Sequence, residues 1–348
     1  MKKHGGNGIA IGIILMMAAF CFSFATSAYT ADKVLMLNFG ATQSSSSYYP
    51  PKLVMAKLIN KYVPEVRVTT VESGSSYDNA MRVQEGVFQI GSGAVDAARD
   101  QYWGEGKWKG KPWKNVRLFM GLSQGALMTY VRKDAKIGSW SDLNDKPLNP
   151  GFIGSDAENL CMEILQGVPE VKPKIVRGTL EDTMRNLQLG KVIGVLKQSP
   201  TKMYDAAMAS VNLELPLDII GLNDSQRDKM KKAFPNTLFM NVKKGQFKEA
   251  PQSGNFWVIT SFNGEWLTSD IPEDIVYKMT KAIYEHYDEV VQALAAAGWV
   301  DPLKMLTESA SQAGPTAFAP LHAGVVRYCK EKGIQVPPSL IPPEYKGK

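Results

Sequence analysis

Residues 66–86 read VRVTTVESGSSYDNAMRVQEG, and this stretch decides the fold class. The alternating β-branched residues of Val66–Val71 predict a strand. The small polar segment Ser73–Ser76 follows, and Asp78–Glu85 then has the pattern of a short helix that ends at Gly86. A strand, a polar loop and a helix in this order form the repeating unit of an α/β protein, whose largely parallel sheet is covered by helices.

The same unit recurs on both sides of this stretch. Upstream, the apolar run Val34–Phe39 predicts a strand, and the helical spacing of apolar residues in Lys52–Tyr62 predicts a helix. Downstream, Val87–Ile90 is the next predicted strand and Gly91-Ser92-Gly93 the next loop. Further predicted strands are Lys174–Arg177 and Val192–Leu196, and further predicted helices are Ala157–Gln166, a segment ending at Leu189, Thr201–Ala209 and the long region Pro272–Ala297.

Length and composition narrow the functional classes. The chain has 348 residues, about twice a typical domain, which favours two lobes. Its net charge of +6 is too small to indicate nucleic-acid binding. Three histidines and three cysteines are too few for clustered zinc sites, iron–sulfur clusters or a disulfide scaffold, so we expect neither metal nor cofactor. We expect Cys161 and Cys329 to be two separate buried thiols, although an exported protein could form a disulfide.

Residues 1–28 have the pattern of a secretory signal. Lys2 and Lys3 precede the apolar stretch Ile9–Phe24, and small residues lead to a predicted cleavage site after Ala28. A retained membrane anchor is the alternative, but the apolar stretch of about 16 residues is shorter than the ~20 that span a bilayer. We therefore expect a protein exported to the periplasm.

Small polar residues follow the predicted strands just before helices begin. Serine at one such position is a favoured N-cap and requires no ligand. Because ligands of open α/β sheets bind at the carboxyl ends of the strands, however, the loops together predict a binding site. Helix N-termini carry partial positive charge, so this site should be neutral to positive and should hold an anion such as a carboxylate. The loops are Ser44–Ser47, Ser73–Ser76, Ser92-Gly93, Gly154-Ser155 and Ser199.

An enzymatic alternative comes from Gly121-Leu122-Ser123-Gln124-Gly125, which matches the G-x-S-x-G nucleophile elbow of serine hydrolases. An elbow requires a helix after the serine, whereas Leu127–Val131 predicts a strand. A catalytic triad also requires a histidine. His286 lies among aromatic residues, where a structural role is expected.

The stretch Trp103–Lys114 is rich in lysine and tryptophan. One interpretation is a solvated loop whose aromatic rings fold back onto the protein. The other is a docking surface for a membrane partner, which depends on Lys107, Lys109 and Lys111.

Several motifs together resemble one family of receptors. The chain resembles the TAXI-type solute receptors of tripartite ATP-independent periplasmic (TRAP) transporters, over essentially all of the predicted mature chain. Within the tail motif, His322 is then a structural residue. The motifs are Tyr48-Tyr49-Pro50, Glu72–Asn79, Val131–Leu143, Pro320-Leu321-His322-Ala323-Gly324 and Arg327-Tyr328.

This resemblance implies a two-lobed, type II-like periplasmic binding protein with its ligand in a cleft between the lobes. Lobe 1 would comprise residues 29–132 and 245–348, and lobe 2 residues 133–244. The protein would be a monomer that captures a small organic acid, either an amino acid or a dicarboxylate such as glutamate or 2-oxoglutarate. It would deliver this acid to membrane-embedded TRAP subunits. A secreted serine hydrolase and a ligand sensor for signalling are the alternatives.

The expected ligand contacts come from both lobes. Lys197 or Arg177 could pair with a ligand carboxylate, the arginine through two parallel hydrogen bonds. Lys197 and Gln198 depart from the small apolar residues common there in the resembling family, and they could alter ligand preference. Lobe 1 would contribute Ser45, Ser47, Tyr48, Ser73, Ser75, Ser92 and Gln124, and lobe 2 Ser155, Asp156, Arg177, Lys197 and Gln198.

Overall fold

Strands and helices alternate along most of the chain, as an α/β fold requires. The computed structural model describes residues 34–74, 76–201, 204–251, 253–293, 301–312 and 315–347. The predicted export signal and Ser75 lie outside the described residues. The strands are β1 (Leu35–Gly40), β2 (Val66–Val71), β3 (Ile90–Ala94), β4 (Val116–Arg132), β5 (Pro147–Asn149), β6 (Lys174–Ile175), β7 (Gly194–Pro200), β8 (Leu217–Ile220), β9 (Leu238–Val242) and β10 (Phe256–Thr268).

The helices begin where the sequence offers capping groups or proline. Ser155 caps α4, Thr179 caps α5, and Pro50-Pro51 open α1. The α-helices are α1 (Tyr49–Tyr62), α2 (Ser76–Gln84), α3 (Asp96–Trp103), α4 (Asp156–Gly167), α5 (Leu180–Gln188), α6 (Ala206–Glu214), α7 (Asp224–Ala233), α8 (Glu273–Tyr284), α9 (Tyr287–Ala293), α10 (Pro302–Gln312) and α11 (Ala323–Glu331). None of the helices in the described part of the chain is both long and apolar enough to cross a membrane.

The strands form one mixed sheet in the order β2-β1-β3-β10-β4-β7-β5-β6, with β8 beside β4 and β9 beside β10. The pairs β1–β3, β5–β7 and β5–β6 are parallel. The long strands β4 and β10 are antiparallel to each other and to their other neighbours. The predicted α/β class is confirmed, and the sheet is parallel only away from its two long strands.

Both long strands change partners along their length. β4 pairs with β10 as far as Gly125 and then with β7 and β8. β10 pairs with β9 as far as Thr260 and with β3 from Asn263 onward. Gly125 and Ser261 face each other in register, so both changes occur at nearly the same level of the sheet. Residues Met36–Lys348 form one compact unit.

Successive side chains of β4 point to opposite faces of the sheet, so the strand contributes to two hydrophobic clusters, one on each face. Leu127 and Val131 pack into a cluster with α4, whereas Met128 and Tyr130 pack into a cluster with α6 and β8. Cys161 lies in the first cluster. Cys161 and Cys329 are both buried and unbonded, as predicted, and burial raises the pKa of both thiols.

Several predicted boundaries are wrong, among them the strand predicted at Val192–Leu196, which is β7 and runs from Gly194 to Pro200. The strand predicted at Val87–Ile90 is β3, which begins at Ile90 and ends at Ala94. Gly91-Ser92-Gly93 is therefore part of a strand and not a loop. The helix predicted at Thr201–Ala209 is α6, which begins after Asp205, because β7 continues to Pro200 by pairing with β4. The predicted long helix Pro272–Ala297 is divided into α8 and α9, and its last residues, 294–297, lie outside the described residues.

The aromatic rings of the Trp103–Lys114 stretch fold back onto the protein. The Trp108 indole donates to Gln84 Oε1 at 2.7 Å, and the Trp103 indole donates to the Phe318 carbonyl at 3.0 Å. The Lys114 ammonium lies 4.1 Å from the centre of the Tyr102 ring. These contacts agree with the first interpretation of the stretch.

Candidate functional site

A polar cavity lies where the first turns of α1, α2 and α4 meet β3, β7 and β10. Counting the part that is open to solvent, its empty space is about 540 Å³, and its lining combines apolar surface with small polar side chains, two lysines and one carboxylate. The lining residues are Ala41, Thr42, Ser46, Tyr48, Lys52, Ser76, Ser92, Gly93, Phe152, Ser155, Asp156, Ala157, Lys197, Gln198 and Asn263.

Helix starts position several of these side chains. The Ser155 hydroxyl accepts the Glu158 amide as the N-cap of α4, which places Asp156 in the first turn. Ser76 begins α2, and its hydroxyl accepts the Ala94 amide of β3 at 2.9 Å. Lys52 lies in the first turn of α1. Four of the five serine-containing segments singled out in the sequence therefore do meet at one place, through Ser46, Ser76, Ser92 and Ser155.

The two lysines of the cavity wall are each paired with a buried carboxylate. Lys52 Nζ lies 2.7 Å from Glu265 Oε1, and the two side chains are only 2% and 0% exposed. Lys197 Nζ lies 2.6 Å from Asp205 Oδ2, also buried. Burial raises the pKa of Glu265, and the Lys52 charge opposes that rise. The cavity is consequently less positive than the sequence suggested.

A chain of hydrogen bonds runs along one wall of the cavity. Gln198 Nε2 donates to the Ser261 hydroxyl at 2.6 Å, and that hydroxyl donates to Asp156 Oδ2 at 3.1 Å. Asp156 is 4% exposed. Burial and, second, the nearby charge of Asp96 hold its pKa well above the usual range of a carboxyl. Burial also raises the pKa of the lining phenol Tyr48 to about 12, so this phenol stays neutral.

Ser261 also belongs to the wall of a second cavity, whose empty space, counting the part open to solvent, is about 930 Å³. In this cavity Arg99 forms ion pairs with Asp96 and, at 2.6 Å, with Asp100. Burial and the Asp100 charge raise the pKa of the Glu163 carboxyl, also in the wall, to about 7.

Six of the residues predicted to contact ligand line the first cavity. Ser92 is one of them, but its hydroxyl donates to the carbonyls of Gly40 and Ala41 and so serves the backbone. The six are Tyr48, Ser92, Ser155, Asp156, Lys197 and Gln198.

The remaining described candidates do not line this cavity, and for most of them the reason is visible. Arg177 is 53% exposed, and its guanidinium pairs with Glu158 at 2.7 Å. Gln124 is exposed and lines a separate groove, because it points to the other side of β4 from Ser123. Ser45 is exposed and donates to Glu181 Oε1 at 2.5 Å.

Ser47 and Ser73 are partly buried and also lie outside the lining set. From the first loop it is Ser46, between the two predicted serines, that reaches the cavity. From the second loop it is Ser76.

Sequence reasoning missed Lys52 and Asn263. Lys52 occupies the same face of α1 as Met55 and Ile59, at spacings of three and seven residues, and all three are buried. A lysine on an apolar helix face was therefore the available signal, because lysine is rarely buried without a partner. No local signal marked Asn263, which lies within the long strand β10.

The Gly121–Gly125 match does not form a nucleophile elbow, and the strand predicted at Leu127–Val131 is confirmed. Ser123 is buried within β4, and the strand continues to Arg132, so no helix follows the serine. The described histidines have other roles: the His286 ring stacks on Tyr62 with centroids 4.3 Å apart, and His322 caps α11. No group of three histidine, cysteine or acidic residues in the described ranges could hold a metal ion.

The fold and the site together define the class of protein. It is an α/β protein with a cavity at the N-termini of its helices. The chain belongs to the NMT1-like family, whose model matches residues 39–333.

Among solved structures, the chain is similar to XAC2383 from Xanthomonas citri bound to ATP, with 10% identity, a TM-score of 0.49, and coverage of 85% of this chain and 98% of that chain. It is also similar to the GluR0 ligand-binding core from Nostoc punctiforme in complex with L-glutamate, with 13% identity, a TM-score of 0.46, and coverage of 76% and 100%. A third similar structure is the alkanesulfonate-binding protein SsuA from Xanthomonas axonopodis pv. citri bound to MOPS, with 12% identity, a TM-score of 0.42, and coverage of 88% and 96%.

Proposed function

We propose that the protein is a periplasmic solute receptor that captures a small organic acid in the first cavity and delivers it to the membrane subunits of a TRAP transporter. The observation that carries this proposal is the cavity itself. Three helix starts, two buried lysines and several hydroxyl groups converge on one cavity, and such groups can bind a carboxylate without any catalytic residue. The motifs that resemble TAXI-type receptors support the transport role.

We propose that two lobes, residues 29–132 with 245–348 and residues 133–244, close around the ligand. The partner change of β4 and β10 supports a division into two lobes, since each strand pairs with a different set of neighbours on either side of Gly125 and Ser261, and it places the crossing points at these residues, inside the proposed bounds of lobe 1. A ligand that contacts both lobes would favour the closed arrangement through its higher affinity for that arrangement.

Besides the Gln198–Ser261–Asp156 chain, further hydrogen bonds join segments of the two proposed lobes. Ser45 donates to Glu181, the Leu180 amide donates to Gln43 Oε1 at 3.2 Å, and Asn159 Nδ2 donates to the Tyr77 hydroxyl at 2.9 Å. Under this proposal the described structure is a closed arrangement, and these bonds must break for a ligand to enter or leave.

Thermal unfolding of the purified protein with a panel of organic acids and amino acids tests the receptor role. A true ligand at about 100 times its Kd stabilises the folded protein by about 2.7 kcal/mol, which raises Tm measurably. If no acid in the panel shifts Tm, the receptor role is wrong.

Delivery to a TRAP transporter has its own test. Deleting the gene should abolish uptake of the radiolabelled acid identified in the panel, and the gene should lie beside one for a large multi-span membrane protein. Unchanged uptake would contradict delivery and would favour the alternative of a signalling sensor.

A further inference from the structure

The charge balance of the first cavity is uneven. Both lining lysines already have buried carboxylate partners, Glu265 and Asp205. The lining carboxylate Asp156 has no ion pair with a cation among the described residues, and its only hydrogen bond comes from the neutral hydroxyl of Ser261. Among the described residues this acidic group therefore has no cation in contact with it, and only the more distant charge of Arg99 acts on it.

One oxygen of this carboxylate is unsatisfied. Asp156 Oδ2 accepts from Ser261, whereas Oδ1 is buried and has no hydrogen-bond partner among the described residues. Buried polar atoms are nearly always paired, so a buried carboxylate oxygen without a partner at a cavity wall indicates a donor from outside the chain.

A second unsatisfied acceptor lies close to the first. Gln198 Nε2 donates to Ser261, and Gln198 Oε1 is buried without a partner in the described structure. Because Gln198 and Asp156 bond the same hydroxyl, their two side chains, each with one unsatisfied oxygen, lie beside each other in the cavity wall. An ammonium group has three N–H donors and a positive charge, and it matches a wall with two acceptors and one carboxylate.

The carboxylate of such a ligand can be bound by the two lining lysines, Lys52 and Lys197. Each lysine ammonium has three donors and uses one of them in its ion pair, which leaves donors for a carboxylate. We propose, on the basis of the proposed receptor function, that the cavity selects small organic acids that also carry an ammonium group, which Asp156 and Gln198 bind. An amino acid fits this requirement, and a dicarboxylate without nitrogen does not.

Calorimetric titration with matched ligands tests this selection. The probes are L-glutamate with 2-oxoglutarate and glutarate, and L-alanine with pyruvate and propionate, so that each set differs mainly in the ammonium group. In at least one set the amino acid should bind the wild-type protein about tenfold or more tightly than both of its nitrogen-free partners. Equal or tighter binding of the nitrogen-free acids would overturn the inference and leave the receptor function standing. Binding of no probe would overturn both.

The variant Asp156→Asn tests whether the Asp156 carboxylate causes the preference for ligands with an ammonium group. It should lower the affinity for the preferred amino acid about tenfold or more and leave the affinity for the nitrogen-free acids within about twofold. The matched control is Asp224→Asn, because Asp224 is also the first residue of a helix but its side chain is 81% exposed. If Asp156→Asn binds the amino acid as tightly as the control, Asp156 does not bind the ammonium group. If Asp156→Asn does not fold, the wild-type comparison alone decides the inference.

Discussion

Lys52 and Glu265 show how a single long-range ion pair shapes the cavity wall. Lysine is rarely buried unless it is paired, and Lys52 is buried because its ammonium reaches a carboxylate in β10. Helix α1 is thereby joined to the middle of the sheet. The pair also leaves the lysine facing the cavity, where its remaining donors can meet a ligand.

Removing the lysine should be costly. Lys52→Met leaves Glu265 buried without its counter-ion, and we expect a loss of about 3–5 kcal/mol in the free energy of unfolding by urea. The double variant Lys52→Met/Glu265→Gln should recover part of this loss. The control is Lys278→Met, in a pair with Glu65 that is about 40% exposed, and it should cost less than about 1 kcal/mol. Equal losses for the two single variants would contradict the role assigned to Lys52.

His322 makes the folded protein sensitive to acid. Its Nδ1 accepts the Gly324 amide, its Nε2 lies 3.0 Å from the Ile271 carbonyl, and burial lowers its pKa from 6.5 to about 4. Below pH 6.5 the unfolded chain binds a proton that the folded protein does not bind. Stability should therefore be complete above pH 6.5 and fall as the pH approaches 4, by up to about 1.4 kcal/mol per pH unit.

The variant His322→Asn retains a capping side chain and removes this titration. Urea unfolding at several pH values between 7 and 4 should show a shallower loss of stability for the variant than for the wild-type protein. His286→Asn, at a histidine stacked on the ring of Tyr62, is the control and should retain the wild-type slope. The assignment to His322 fails if both variants have the same pH profile.

At the scale of elements, β3 packs closely against α2 in the wall of the first cavity, where Gly93 lies next to Ser76. Gly93 has a φ of +136°, and a Cβ at this position would lie 2.7 Å from Ser76 Cα and 2.4 Å from its hydroxyl oxygen. Glycine is therefore required here both for its backbone conformation and for the close approach of α2.

Gly93→Ala should shift the first turn of α2 and lower the free energy of unfolding by about 1–3 kcal/mol. Gly138→Ala is the matched control, since the nearest atom to its added Cβ is 3.7 Å away and its effect should stay within about 0.5 kcal/mol. Chemical denaturation measures both. A Gly93→Ala protein as stable as the control would show that this close approach is not required.

Local signals predicted individual elements well and their partners poorly. Thr179 marks the beginning of α5 and Gly190 its end. Both signals lie next to the helix in the sequence, so this helix was predictable. The pairing of β4 with β10 joins residues more than a hundred positions apart, and no periodicity in either strand specifies it. The site follows the same rule: Ser155 was identified from its capping position, whereas Lys52 was missed because its partner lies 213 residues away.

Lys197 and Gln198 were assigned to a loop and in fact lie in β7. Both residues line the first cavity, although the predicted element was wrong. Their approach to the cavity depends on the pairing of β7 with β4, which the sequence does not specify locally.

At the scale of the whole molecule, β4 and β10 connect the two proposed lobes. If they act as a hinge at the level of Gly125 and Ser261, a ligand that contacts both sides should reduce the radius of gyration. Small-angle X-ray scattering without ligand and with a saturating acid from the panel measures this change. Unaltered scattering on saturation would contradict closure about these strands.

Under the proposed function the first cavity holds a small organic acid, and substitutions of two glutamines test this placement. Gln198 lines the cavity and bonds Ser261, whereas Gln124 is exposed beside a separate groove. Calorimetric titration of the acid that stabilises the wild-type protein should give one site per chain, an affinity at least about tenfold lower in Gln198→Leu, and an unchanged affinity in Gln124→Leu. Equal affinities in the two variants would place the ligand elsewhere and contradict the account.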